Sequence, residues 1–159
     1  MRAAIVTVST SRTAGTEEDR GTPALEAYAE TLGAEVIERR LVSDDREQVA
    51  DVLRSICDSG TVNLVLTTGG TGLALSDVTP EATRDVIDRE APGIAEALRL
   101  ASKDHTKYWM MSRGIAGLRG KTLIVNFPGN PRAIAEAGEP LVGVLAHAMA
   151  LLLDEPAGH

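Results

Sequence analysis

The chain has 159 residues, 43% of them hydrophobic and 25% charged, a composition that fits one globular α/β domain spanning residues 1–159. The net charge of −7 opposes long-range attraction to nucleic acid or an anionic membrane, so neither is expected as a partner. Cys57 is the single cysteine, which excludes an intramolecular disulfide and agrees with a cytoplasmic setting.

Aromatics make up 3% of the chain and Trp109 is the only tryptophan. The core must therefore be built from Val, Leu, Ile and Ala, which suits a mostly parallel sheet covered by helices. Ala3 to Val8 is a continuous β-prone run and predicts a strand buried on both faces, not a signal peptide. A polar loop from Ser9 to Gly21 follows. Thr22-Pro23 opens a helix that should stop at Gly33, because proline at the first helical position loses no hydrogen bond.

Glu35 to Val42 reads as the second strand. Asp44 and Glu47 have the offset of a capping box ahead of a helical stripe of Val49, Val52, Leu53, Ile56 and Cys57. In that stripe Cys57 reads as a small core residue. Val62 to Thr68 is the third strand. The loop GGTGLALSD leads to Thr79-Pro80 and a helix expected to run to about Pro92-Gly93, then another over Ile94 to Lys103. Thr122 to Phe127 is the fourth strand, and the PGNP turn starts a helix at Pro131. Pro140 divides that pattern, leaving a last helix over Leu141 to Leu153, too short to span a bilayer.

Alternating strands and helices predict right-handed crossovers and a three-layer α/β/α sandwich with a mainly parallel sheet. Ligands in such folds bind beyond the carboxyl ends of the strands. Polar loops follow Val8, Val42, Thr68 and Phe127, so they should meet on one edge. Thr68-Gly69-Gly70-Thr71-Gly72 is the strongest local motif. Its glycines allow a ligand to approach backbone amides, an anion cradle, although a tight strand-to-helix turn has the same composition. It lacks the Lys-Ser or Lys-Thr of a Walker A loop and is not GxGxxG.

Asp44 and Asp77 flank this loop in sequence. Either could be a helix cap; together on one edge they suit Mg²⁺ shared with phosphate oxygens. Local positive charge is available at Arg12, Arg113, Arg119, Lys121 and Arg132. Arg113 and Arg119 could fork onto phosphate or stay solvated, and Pro128-Gly129-Asn130-Pro131 could be a ligand contact or only a rigid turn. His105, His147 and His159 form no recognisable cluster.

TTGGTGLALSDVTPEAT together with SRGIAGLRGKTLIVNFPGNP closely resembles the MogA/MoaB family of molybdenum-cofactor biosynthesis, whose fold also occurs in the G domains of gephyrin and its plant counterpart. The resemblance runs from the first strand to the last helix. It implies binding of molybdopterin and ATP at the loop edge, with Mg²⁺, and transfer of AMP to the pterin's terminal phosphate. By the same resemblance the key acids fall on Asp44 and Asp77, with Asp45 as a neighbour one position away. Family contacts fall on Gly69, Gly70, Thr71, Gly72, Ser112, Asn126, Pro128 and Gly129, and Ser9, Thr68, Arg113 and Asn130 of the same loops join them as candidate binding residues.

Many members carry an aspartate in the first loop, where this chain reads Ser9-Thr10-Ser11-Arg12. The resemblance further implies a homotrimer or a hexamer, and contacts with other cofactor-assembly proteins. A MoaB-type relative without adenylyl transfer, or a noncatalytic pterin-binding or scaffolding module, would share the motifs.

Overall fold

The structure, a computed structural model, describes residues 1–154; His159 lies outside them. Six strands form one sheet: β1 (Arg2–Val8), β2 (Glu35–Val42), β3 (Leu64–Thr68), β4 (Arg89–Glu90), β5 (Ala116–Arg119) and β6 (Thr122–Phe127), in the order β2-β1-β3-β6-β5-β4. The first four strands in that order pair in parallel, and β5 and β4 add an antiparallel margin beside β6. The mainly parallel sheet expected from the sequence is therefore present.

Seven helices accompany it among the described residues: α1 (Thr10–Thr13), α2 (Gly21–Thr31), α3 (Arg46–Asp58), α4 (Thr79–Arg84), α5 (Pro92–Ser102), α6 (Pro131–Gly138) and α7 (Leu145–Leu153). Short 3₁₀ turns occupy Trp109–Met111 and Glu139–Leu141. Alternation along the central strands distributes their side chains to two cores. Ala3, Ile5, Leu64, Leu66, Val125 and Phe127 face α2, α5, α6 and α7. Ala4, Val6, Val8, Val65 and Ile124 face α3 and α4. Helices on both faces complete the three layers.

Cys57 is buried in the second core, where burial pushes its thiol up to about 11, so it behaves as an inert apolar residue. No single helix among the described residues is long and apolar enough to cross a membrane.

Several local expectations are corrected. The cap of α3 is Asp45, whose side chain accepts from Gln48 N, and not an Asp44/Glu47 box. Helix α2 starts at Gly21, two residues before Pro23, because Asp19 Oδ1 accepts the amides of both Gly21 and Thr22. Helix α4 ends at Arg84 instead of near Pro92, and the chain then pairs as β4 against β5. Gly117 makes that pairing possible. A Cβ there would lie 2.5 Å from Ile87 Cδ1 and 2.8 Å from Arg89 O. Helix α5 begins at Pro92, two residues before Ile94, and the final helix begins at Leu145, after the Glu139–Leu141 turn.

Candidate functional site at the carboxyl edge of the sheet

The register of the parallel strands brings Thr7, Thr68 and Phe127 level with one another, so the loops that follow β1, β3 and β6 leave the sheet together. The glycine loop after β3 is positioned by close backbone approach. Gly69 has φ +95°, and a Cβ on it would sit 2.2 Å from Val8 O. Gly70 has φ +61°, with Thr79 Oγ1 2.5 Å from its Cβ position. Both conformations favour glycine, and both contacts leave no room for a side chain.

A buried polar chain holds this loop from below. Asn126 is buried on β6; its Nδ2 donates to Thr67 Oγ1 and Thr83 Oγ1 at 3.0 Å each, and its Oδ1 accepts from Ile115 N. Thr83 Oγ1 donates to Thr79 O, and Thr79 Oγ1 donates to Gly69 O. A run of threonines thus couples the β6 asparagine to the glycine loop through α4. Satisfied buried networks of this kind are rigid because each member would be costly to leave unpaired.

The two candidate acids flank the loop. Asp44 Oδ2 accepts from Thr10 N at 2.7 Å and Thr10 Oγ1 at 2.9 Å, while Asp44 Oδ1 lies 3.4 Å from the Cβ position of Gly70. Asp77 Oδ2 accepts from Ala74 N at 2.8 Å and lies 2.8 Å from the Cβ position of Gly72. One oxygen of each carboxylate has no hydrogen-bond partner among the described residues. Asp45 is engaged as a helix cap, which singles out Asp44 as the acid of that pair beside the glycines.

A cavity of about 630 Å³ opens in front of the loop, a size suited to a small organic ligand. Gly70, Thr71, Gly72, Asp77, Ser112, Asn126, Pro128, Gly129 and Asn130 of the sequence-nominated residues line it. Asp44, Ser9, Thr68, Gly69 and Arg113 do not. Ser9 instead caps α1 by accepting from Arg12 N. Thr68 is buried and donates to Pro128 O at 2.7 Å, joining the third-strand loop to the PGNP turn. Asn130 also caps α6 through Arg132 N.

The two loop arginines have structural occupations. Arg113 donates through Nε to Gly72 O at 2.6 Å, through Nη2 to Asp77 O at 2.6 Å, and through Nη1 to Glu81. It clamps the segment that carries Asp77, and the guanidinium holds the Glu81 carboxyl below its usual range. Arg119 is held by Asp58 and Val86 O, away from the cavity wall.

The far wall was not legible in the sequence. Arg99, Ser102, His105 and Trp109 come from α5 and the turn after it, and Glu136 from α6. His105 Nδ1 lies 3.7 Å from Glu136 Oε1, bridging the two segments. A lone tryptophan in a polar, half-exposed stretch was the available signal. Among the described residues no cluster of three or more His, Cys, Asp or Glu could hold a metal by itself.

Comparison with known proteins agrees with this architecture. The family described as "Probable molybdopterin binding domain" matches residues 4–147. The chain is 39% identical over 141 residues to a molybdopterin adenylyltransferase of Haemophilus influenzae, covering 87% of this chain and 72% of that protein. It is 35% identical over 152 residues to the molybdenum cofactor synthesis protein cinnamon of Drosophila melanogaster, and there it spans 95% of itself but only 25% of the longer relative. A solved structure of the molybdopterin biosynthesis enzyme MoaB from Thermus thermophilus superposes with a TM-score of 0.91 at 41% identity, covering 99% of each chain. The tungsten cofactor synthesizing protein MoaB from Pyrococcus furiosus superposes with a TM-score of 0.82 at 26% identity, covering 95% of this chain and 96% of that one. By sequence across its length and by fold, this chain belongs to the MogA/MoaB family of molybdopterin-binding domains.

Proposed function

We propose that the protein is a molybdopterin adenylyltransferase: it binds molybdopterin and ATP and joins AMP to the pterin's terminal phosphate. An oxygen of that phosphate forms a bond to the α-phosphorus of ATP as the bond to the β-phosphate bridge breaks, and pyrophosphate leaves. The attacking oxygen is already anionic near neutral pH. The chain therefore needs no Ser, Cys or His nucleophile and no strong general base, only positioning and charge stabilisation.

The observation that carries this reading is the pair of half-buried carboxylates, Asp44 and Asp77, packed against Gly70 and Gly72. Two polyanions repel each other, and a cradle of amides between two acids suits a metal-bound polyphosphate. Mg²⁺ prefers oxygen ligands and is commonly held by one or two carboxylates with phosphates and waters making up the rest. The donor set fits: two carboxylates with a free oxygen each, and no larger cluster among the described residues. Bound there with the nucleotide, Mg²⁺ would neutralise phosphate charge. Asp44 and Asp77 would hold it, the amides of Gly70 to Gly72 would receive phosphate oxygens, and Trp109 with its neighbours would cover the pterin.

The test is Asp44→Asn and Asp77→Asn, assayed for pyrophosphate release with molybdopterin, Mg²⁺ and ATP. Each should lose transfer by at least tenfold while melting like the parent. Full activity in both would remove the carboxylates from the reaction.

A second reading is a pterin-binding relative without adenylyl transfer, favoured by the position of Asp44 outside the cavity lining. The presence of both acids argues for transfer. Tight molybdopterin binding with no adenylylated product would favour the second reading. A cytoplasmic setting, assembly as a trimer or hexamer, and contacts with other cofactor-assembly proteins complete the proposal; sedimentation of the purified protein tests the assembly.

A further inference from the structure

Arg12 lies on α1, just beyond the carboxyl end of β1. Its side chain turns back over the sheet edge. A Cβ at Gly21 would meet Thr68 Cγ2 at 2.9 Å and Arg12 Nη1 at 3.2 Å, so the guanidinium, the start of α2 and the residue before the glycine loop crowd one point. Thr68 in turn donates to Pro128 O, the carbonyl next to Gly129 of the cavity wall.

Arg12 Nε is sealed from solvent with no hydrogen-bond partner, and the guanidinium makes no ion pair among the described residues. A desolvated donor on a cation is costly to leave unpaired. Acids of its own loop are already engaged. Asp19 Oδ1 lies 3.5 Å from the same Gly21 point, but Asp19 accepts from Gly21 N, Thr22 N and Thr22 Oγ1. Glu17 accepts from Ser11 Oγ. Arg113 and Arg119, the arginines that the motifs nominate, are bound to protein acceptors.

We propose that Arg12 is an anion-recognising residue of this site, its guanidinium receiving a phosphate oxygen from one of the two substrates at the rim between the first loop and the PGNP turn. The inference rests on the phosphoryl-transfer reading above and adds a residue to it. A guanidinium presents donors in a fork that matches two phosphate oxygens, and in a chain of net charge −7 a local cation is what brings a polyanion to the rim. The phosphate could be the nucleotide's triphosphate or the terminal phosphate of the pterin; the chemistry is the same.

The experiment uses the whole chain with Arg12→Ala and Arg12→Lys, titrated with inorganic pyrophosphate and then assayed for transfer. Arg12→Ala should weaken pyrophosphate binding by about tenfold or more, the loss expected for one charge-assisted contact, and Arg12→Lys should recover part of it. A raised KM for ATP alone assigns the contact to the nucleotide, and a raised KM for molybdopterin alone assigns it to the pterin; both uphold the proposal. Unchanged pyrophosphate affinity in Arg12→Ala, or a parent protein that binds no pyrophosphate, overturns it. Should Arg12→Ala melt early, Arg12→Gln keeps the side-chain length and carries the same comparison. Arg12-dependent pyrophosphate binding without adenylylated pterin would sink the transferase reading and leave this one standing.

Discussion

Thr10 and Asp44 hold each other through three hydrogen bonds: Thr10 N and Oγ1 donate to Asp44 Oδ2 at 2.7 and 2.9 Å, and Asp44 N donates to Thr10 Oγ1 at 3.0 Å. This fixes the carboxylate with its other oxygen toward Gly70. It also gives the first loop a purpose. The first loop carries no acid at Ser9 to Arg12 and offers instead a threonine that positions one.

Thr10→Val should therefore lower adenylyl transfer several-fold, with a stability loss of about 1 kcal/mol, because the pair is partly solvated. Thr10→Ser keeps both hydroxyl bonds and should retain transfer. Parallel measurement of kcat and melting temperature decides the matter: loss in both variants, or in neither, would exclude the positioning role.

Gly69→Ala should be severe. The substitution puts a side chain at φ +95° and drives its Cβ to 2.2 Å from Val8 O, a backbone atom at the end of β1 that cannot swing aside. Conformational strain of about 1–2 kcal/mol adds to that clash, for a total loss on the order of 3 kcal/mol or more. Gly120→Ala is the control, since it has φ +53° with nothing within 4 Å. Denaturant unfolding should show a loss of about 1 kcal/mol there.

Asn126→Ala removes partners from Ile115 N, Thr67 Oγ1 and Thr83 Oγ1 in a dry environment. A loss of about 2–4 kcal/mol is expected from the unpaired amide and the void. Since Thr83 and Thr79 link this residue to Gly69 O, transfer should fall further than stability explains. Activity measured well below the melting transition separates the two effects.

The Glu81 carboxyl is held below its usual range, first by the hydrogen bond from Arg113 and opposed by desolvation. A depressed folded pKa means that the stabilisation is present above the unfolded value, about 4.3, and disappears as pH falls through the lower folded value. Glu81→Gln should cost up to about 1 kcal/mol at pH 7, as expected for a partly exposed pair, with the gap closing as the solution becomes more acidic than pH 4. A gap that stayed constant across that range would show that the ion pair contributes nothing to stability.

Trp109 is the only tryptophan and lines the cavity. Intrinsic fluorescence should change when a pterin enters, and Trp109→Ala should weaken pterin binding by roughly tenfold, consistent with the loss of one ring contact. An unresponsive emission spectrum at saturating pterin would place the ligand elsewhere.

Local chemistry written into the chain determined the layers, the positions of the main strands along the sequence and the convergence of the loops. Runs of β-prone residues such as Ala3 to Val8 and Leu64 to Leu66 suit a sheet covered on both faces, and Gly or Pro marks where β3 and β6 turn. Long-range pairing decided the rest. Arg89–Glu90 is too short to announce a strand and exists because Gly117 lets Ile87 and the Arg89 carbonyl approach β5. Arg113 looks like a phosphate ligand in sequence and becomes a clamp because Glu81 and the Gly72 and Asp77 carbonyls surround it in space. Arg12, one of several basic residues to the eye, is set apart only by the absence of a partner in the fold. Charge and residue type are local properties, but whether a cation is already satisfied depends on neighbours tens of residues away.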